Sequence, residues 1–301
     1  MQGMELGMSS YGLDAGAAAA VALAQRAEAA GFDRFMLVER VLTNDTLTTL
    51  AGAATVTSTI RLGTGIANIH LRHPGMLAVA ASAVCDLSNG RLILGLGPNN
   101  RSGTEKAGLP WRDPRVALLE ITAQLRESFA GTGGRCGPAP HPIPIPWAAV
   151  AMETAELAGT HADGAMLYLA TPERIAKVRD RFRSGAEAAG RSPDQLEFSL
   201  LLPTFIDDDL EVARDAARSF LRPYASMAHY HKLFRSSGFD DPDSLPDSLL
   251  DAVLLVGDQA RARDRIAELA SLGLTHLDLA PLPVAGRTIA QSAEVLIAMQ
   301  R

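Results

Sequence analysis

Residues 60–75 read IRLGTGIANIHLRHPG, and the way this stretch folds decides how the rest of the chain is arranged. Ile60 to Ile66 predicts a strand, Ala67 to Arg72 a short polar connection, and His73-Pro74 a helix entrance, with proline at the first helical position, where no backbone N–H is needed. Strand, loop, then helix is half of a βαβ unit. The two glycines are unusual for a strand. Gly63 and Gly65 let a flat ligand approach bare backbone and allow dihedrals closed to other residues; a bulge or a crowded barrel corner would use glycine equally well.

The same unit recurs in both directions. An Ala-rich amphipathic stretch, a glycine and a short apolar run appear as Ala17–Ala30, Gly31, FDRFMLVE; as Met76–Leu87, Gly90, RLILGLG; and as Ala260–Leu272, Gly273, LTHLDLA. Each glycine stands where a helix C′ residue takes positive φ, and each run is too apolar for a strand with one wet face. Eight strands are expected: Glu5–Met8, Arg34–Val38, Ile60–Ile66, Leu92–Leu96, Ile143–Val150, Gly164–Leu169, Glu197–Phe205 and His276–Leu279. Alternation continues to the C-terminus without a linker. It therefore predicts an α/β chain closed into a (β/α)8 TIM-type barrel, one domain over residues 1–301, rather than an open doubly wound sheet. Thr171-Pro172-Glu173 and Asp258 are expected to cap helices; Gly131–Pro146 and Asp240–Ser248 read as surface loops.

Composition narrows the setting. Of the 301 residues 47% are hydrophobic, enough for a large core, and the net charge of −6 offers no basic stripe for nucleic acid. Cys85 and Cys136 lie far apart, no basic segment and apolar h-region open the chain, and no apolar run reaches the roughly 18 residues of a membrane span. Together these predict a cytoplasmic protein with no membrane partner, acting on a small molecule. Cys85 is expected on a core helix face, Cys136 in an exposed loop. No metal site is expected: His229 and His231 face different sides of a helix, and no carboxylate or cysteine spacing completes a zinc pattern.

In a barrel the chemistry sits at the C-terminal ends of the strands, which directs attention to Gly65, Ile66, Ala67 and Asn68 after the third strand. Asn68 can both donate and accept through its side-chain amide. A Rossmann G-x-G-x-x-G fails, because Asn68 or Asn100 stands where the third glycine belongs, and no phosphate-loop motif occurs.

LAGAATVTSTIRLGTGIANIHLRHPGMLAVAASAVCDLSNGRLILGLG, with AEAAGFDRFMLVER, ELAGTHADGAMLYLATPE and LLVGDQARARDRIAELASLGLTHLDLAPL, resembles the luciferase-like monooxygenase superfamily. Within it, the stretch is similar to the branch using the deazaflavin coenzyme F420, typified by methylenetetrahydromethanopterin reductase. The resemblance covers nearly the whole chain. It implies a third strand ending in a bulge with a non-proline cis peptide, Gly65–Ile66 here, behind the middle ring of the cofactor, and a homodimer. It also implies hydride transfer between coenzyme F420 and an organic substrate; the rivals are a monooxygenase using flavin mononucleotide (FMN) and a non-catalytic flavin-binding relative. FMN relatives often place an arginine after the fourth strand, where Pro98 stands here.

The candidate site residues follow by matching. Glu39 ends the second strand, where relatives carry an acid or histidine near the ring; an exposed Glu39–Arg40 ion pair is the alternative. Gly97, Asn99 and Asn100 close the fourth strand, Asn100 standing where some relatives have a glutamate that acts as an acid. His73 reads as a helix-entry residue and leaves His70 the freer position for catalysis. After the fifth strand, relatives hold phosphate on a Gly-Pro-Arg-like turn; here Val150, Ala151 and Met152 offer backbone, and Glu153 adds negative charge. Ser9, Ser10 and Tyr11 are expected to line the substrate side or to form a small polar loop, and Tyr224, His229, Tyr230 and Phe234 to form a lid or simply to pack.

Overall fold

The computed structural model describes residues 3–11, 16–132 and 137–300. Its strands are β1 (Glu5–Ser10), β2 (Arg34–Leu37), β3 (Arg61–Asn68), β4 (Leu92–Gly97), β5 (Pro146–Ala148), β6 (Gly164–Tyr168), β7 (Glu197–Ile206), β8 (Leu255–Gly257) and β9 (His276–Pro281). The helices are α1 (Gly16–Ala29), α2 (Thr46–Val56), α3 (Pro74–Leu87), α4 (Arg101–Lys106), α5 (Pro114–Phe129), α6 (Met152–His161), α7 (Pro172–Ala188), α8 (Leu210–Ala225), α9 (Ala228–Ser236), α10 (Asp247–Val253), α11 (Gln259–Ala270) and α12 (Ile289–Gln300). All strand pairings are parallel. They run β1 to β7 in order, then β7 to β9 and β9 back to β1, which closes an eight-stranded barrel.

All eight expected strands belong to this ring. The fifth is shorter than its sequence suggests: it spans Pro146–Ala148, and Pro144 ahead of it carries no N–H for the ladder. The third runs two residues further, to Asn68, across a register shift between Thr64 and Ala67. β8 has no counterpart among the eight: it is three residues long and pairs beyond the ring with the last residues of β7, Thr204 to Ile206. Asp240–Ser248 is less irregular than expected, holding a short 3-10 turn at Pro242–Ser244 and the start of α10.

The helix punctuation follows from local chemistry. His73 Nδ1 accepts the Gly75 N–H at 3.1 Å, Thr171 caps α7 ahead of Pro172, and Asp258 accepts the Arg261 N–H at 2.8 Å. Gly31, Gly90 and Gly273 all have φ near +80°. Cys85 is fully buried with Leu77, Ala81 and Val84 on the inner face of α3; Cys136 lies outside the described residues. Among the described residues no helix is long and apolar enough to cross a membrane.

The barrel interior is layered. Near the strand starts, Arg34 is fully buried; it forks onto Asp278 at 2.7 and 2.6 Å and pairs with Glu197 at 2.8 Å. Gly7 lies between Arg34 and Asp278 in the register, and a Cβ there would stand 2.1 Å from the Asp278 carboxylate. Above this layer Met36, Ile93 and Met166 fill the centre, with Ile66 packed against them. Gly63 faces the Met36 sulfur and Gly95 the Thr64 carbonyl, so close packing requires both to lack a side chain. Outside the ring a large apolar shell joins helices to strands. A second core gathers α8 to α10 over the C-terminal end of β7.

Candidate functional site

At the C-terminal mouth the peptide between Gly65 and Ile66 is cis, as the resemblance implied. The Ile66 side chain turns over Gly97, where a Cβ would lie 2.7 Å from it and 2.8 Å from Ala148. Gly65 differs from its neighbours: a Cβ there would sit 3.5 Å from Met36 and 3.7 Å from Leu201, ordinary contact distances, so packing does not account for the glycine.

Glu39 ties this mouth together. Its fully buried carboxylate accepts the Arg72 fork at 2.7 and 2.6 Å, the Asn68 backbone N–H at 2.8 Å and the Thr46 hydroxyl at 3.0 Å. Arg72 also reaches Asp45 at 2.8 Å, and Asp45 caps α2. The ion-pair partner is thus Arg72, not Arg40, and the pair is internal. Neither Arg72 nor Thr46 was singled out from the sequence; a cation in the polar turn after β3 was the available signal. The Glu39 carbonyl accepts from Asn99 Nδ2 at 3.0 Å, so the ends of β2, β3 and β4 share one carboxylate residue.

Two polar atoms here have no hydrogen-bond partner. Asn68 Oδ1 accepts the His70 N–H at 2.9 Å, which orients the amide and leaves Nδ2 buried and unpaired. His70 Nε2 is likewise buried and unpaired, with its ring 4.7 Å from that of Trp111. Burial, with Arg112 nearby, lowers the His70 pKa and favours neutral imidazole. Both atoms are shielded from solvent, so a ligand reaches them only when overlying side chains move. Asn100, by contrast, is used locally: Oδ1 caps α4 on the Gly103 N–H at 2.7 Å and Nδ2 donates to Asn99 at 3.0 Å. Asn99 takes φ +57°, a left-handed conformation asparagine tolerates.

Across the mouth, α6 begins at Met152 without a side-chain cap from Ala151, and Glu153 stands exposed in its first turn. The Val150 carbonyl accepts the Arg174 guanidinium at 3.1 and 2.7 Å. Glu153 acts electrostatically on both Arg174 and Arg115, so the helix start carries charges of both signs.

The remaining wall is aromatic. Tyr11, after β1, and Tyr168, ending β6, join hydroxyls at 2.9 Å, and Tyr168 donates to Tyr224 of α8 at 3.2 Å. Phe220 and Tyr230 meet them edge-on, Phe234 stacks on Tyr230, and His229 leans on Tyr230 at 4.2 Å. Burial pushes the Tyr11 and Tyr168 hydroxyls well above the usual 10, so both remain neutral donors. Of the expected aromatic residues, Tyr224 and Tyr230 close on Tyr168, while Phe220 supplies the ring against Tyr11. Tyr168 was missed, although its place at a strand end marks it.

Several known proteins are similar to this chain along most of its length. The 5,10-methylenetetrahydromethanopterin reductase of Methanolobus tindarius is 26% identical over 305 residues, covering 91% of each chain. The coenzyme F420 dependent tetrahydromethanopterin reductase of Methanopyrus kandleri superposes with a TM-score of 0.81 at 22% identity, over 99% of this chain and 100% of its own. An F420-dependent secondary alcohol dehydrogenase, solved with an F420-acetone adduct, gives 0.82 at 18% identity over the full length of both. With the luciferase-like monooxygenase profile matching residues 4–276, the chain belongs to that family, on its methylenetetrahydromethanopterin reductase-like branch.

Proposed function

We propose that the chain is an oxidoreductase that moves a hydride between coenzyme F420 and a small organic substrate. The observation that carries this reading is the end of β3. The bulged Gly65–Ile66 backbone leads into Asn68, whose buried Nδ2 is unpaired. An unsatisfied buried donor costs about 1–3 kcal/mol, and the carbonyl-rich edge of a deazaflavin is the kind of acceptor that removes the cost. Asn68 fits the group, as do Gly65, Ile66, Ala67, Gly97 and Asn99 around it.

A bound deazaflavin supplies or takes up hydride at its C5. The protein's residues do the rest. Glu39 acts as a positioning residue: with its oxygens taken by Arg72, Thr46 and the Asn68 N–H, it holds the strand end rather than exchanging a proton. Asn100, committed to its helix cap, holds the β4 turn. Of the three residues singled out for catalysis, His70 keeps an open ring nitrogen. On the opposite wall Tyr11 donates to Tyr168 and Tyr168 to Tyr224, which leaves the Tyr224 hydroxyl to donate to a substrate oxygen or nitrogen as charge develops. The backbone N–H groups of Ala151 and Met152, beside Val150, would hold the phosphate, with Arg174 and Arg115 offsetting Glu153.

Fluorescence titration of the purified protein with F420 and, separately, with FMN tests the reading. F420 is expected to bind with Kd on the order of 1 µM and FMN far more weakly. Tighter FMN binding would turn the assignment to a flavin monooxygenase, and binding of neither to a non-catalytic relative.

A further inference from the structure

At the other end of the barrel, where no part of the proposed active site lies, three side chains far apart in sequence converge. Glu5 opens β1, His276 opens β9 directly opposite it in the register, and Asp33 precedes β2. Their ligand atoms all lie within 4.8 Å of one another. His276 Nε2 is 3.0 Å from Glu5 Oε2 and 3.5 Å from Asp33 Oδ2. Neither contact has hydrogen-bond geometry: Nε2 and Asp33 Oδ2 are both buried and unpaired, although His276 as a whole is only 9% exposed.

The other ring nitrogen explains which way the imidazole is wired. His276 Nδ1 lies 3.0 Å from Thr275 Oγ1, which itself donates to the Phe198 carbonyl at 3.2 Å. With the hydroxyl proton committed to that carbonyl, Nδ1 carries the hydrogen and Nε2 presents a lone pair. A lone pair aimed between two carboxylate oxygens is repulsive unless a cation stands there. The charges around it also leave a deficit. Glu5, Asp33, Glu197 and Asp278 face two guanidinium groups, those of Arg34 and Arg61.

We propose that Glu5, Asp33 and His276 form a site for a divalent transition-metal cation of the zinc type. One histidine nitrogen and two carboxylate oxygens are a common donor set for zinc, with water in the fourth position. At metal–ligand distances of about 2.0–2.2 Å, the edge of a tetrahedron is about 3.3–3.6 Å, which the 3.0 and 3.5 Å separations from His276 Nε2 approach. Thr275 behaves as the outer partner that fixes the tautomer of a metal-binding histidine. The sequence hides the site because its members stand at positions 5, 33 and 276, with no local spacing to mark them. A cation there joins the first strand to the last, at the seam that closes the barrel.

The test uses the full chain, stripped with a chelator and dialysed, then titrated with zinc chloride by calorimetry and by thermal melting. One zinc per chain is expected, with a rise in Tm of about 5 °C at a hundredfold excess over Kd. Glu5→Gln, at an exposed position, should weaken binding at least tenfold, Thr275→Val by about tenfold, and His276→Asn should remove it. If His276→Asn does not fold, Glu5→Gln decides. A wild-type melt unmoved by zinc at about 100 µM leaves a proton as the cation on Nε2 and overturns the proposal. So does a zinc effect that survives Glu5→Gln undiminished, because the metal would then sit elsewhere.

Discussion

Glu39 shows how the position of one buried residue can be legible in sequence while its partners are not. Its place at a strand end was legible; its partner was not, because Arg72 lies 33 residues away and only the β2–β3 pairing brings them together. The same holds for Tyr168, which meets Tyr11 across 157 residues of sequence. Glu39→Gln keeps the shape but removes the charge, so the Arg72 fork loses its buried counterion and keeps only the exposed Asp45. Breaking a buried pair on one side costs about 3 kcal/mol. Urea denaturation should show that loss. F420 binding should weaken in parallel, because the Asn68 backbone loses its charged acceptor; a variant of native stability that binds normally would remove Glu39 from the site.

At the scale of elements, helix caps and C′ glycines were written locally and could be read directly. β8 and the true length of β5 could not, since one depends on the overhanging end of β7 and the other on which prolines face the ladder. Tertiary capture also sets acid stability. Glu28, near the end of α1, accepts the N–H groups of Ser58, Thr59 and Ile60 and the Thr59 hydroxyl. Partial burial opposes its ionisation, but these donors prevail and lower its pKa from 4.5 to about 2. A depressed folded-state value means the stabilisation is complete above pH 4.5 and disappears as pH falls toward 2. Allowing for partial exposure, about 2 kcal/mol should be lost across that window, and Glu28→Gln should flatten that part of the stability curve. Helix α6 offers a second test. Glu153→Arg should tighten F420 binding by about tenfold at low salt, less as salt rises, if the phosphate sits at that helix start. The exposure of Glu153 and the nearby Arg115 and Arg174 keep the gain modest. An unchanged Kd would put the phosphate elsewhere.

For the whole molecule, the outward side of α2 and α3 stands out. Asp86 is the one charged residue of α3, where Met76, Val79 and Leu87 are exposed, as is Val56 at the end of α2. A surface helix ordinarily covers its outer face with charge, and exposed apolar residues on neighbouring helices suit a self-complementary contact. Light scattering should give twice the chain mass at micromolar concentration, and Met76→Asp with Val79→Asp should halve it; a wild-type monomer rejects the dimer. The seam between β1 and β9 has a consequence in time. β1 has β2 on one side from early on, but its other neighbour is the last strand to be made, and β7 waits for the same strand. At about 5–20 residues per second, a ribosome needs roughly 4–15 s to pass from the end of β7 to the end of β9. Throughout that interval the nascent sheet has two unpaired parallel edges, each able to recruit another chain. Translation arrested just short of His276 should therefore yield aggregate rather than a loosened barrel, and slowing elongation between β7 and β9 should lower the yield of folded protein.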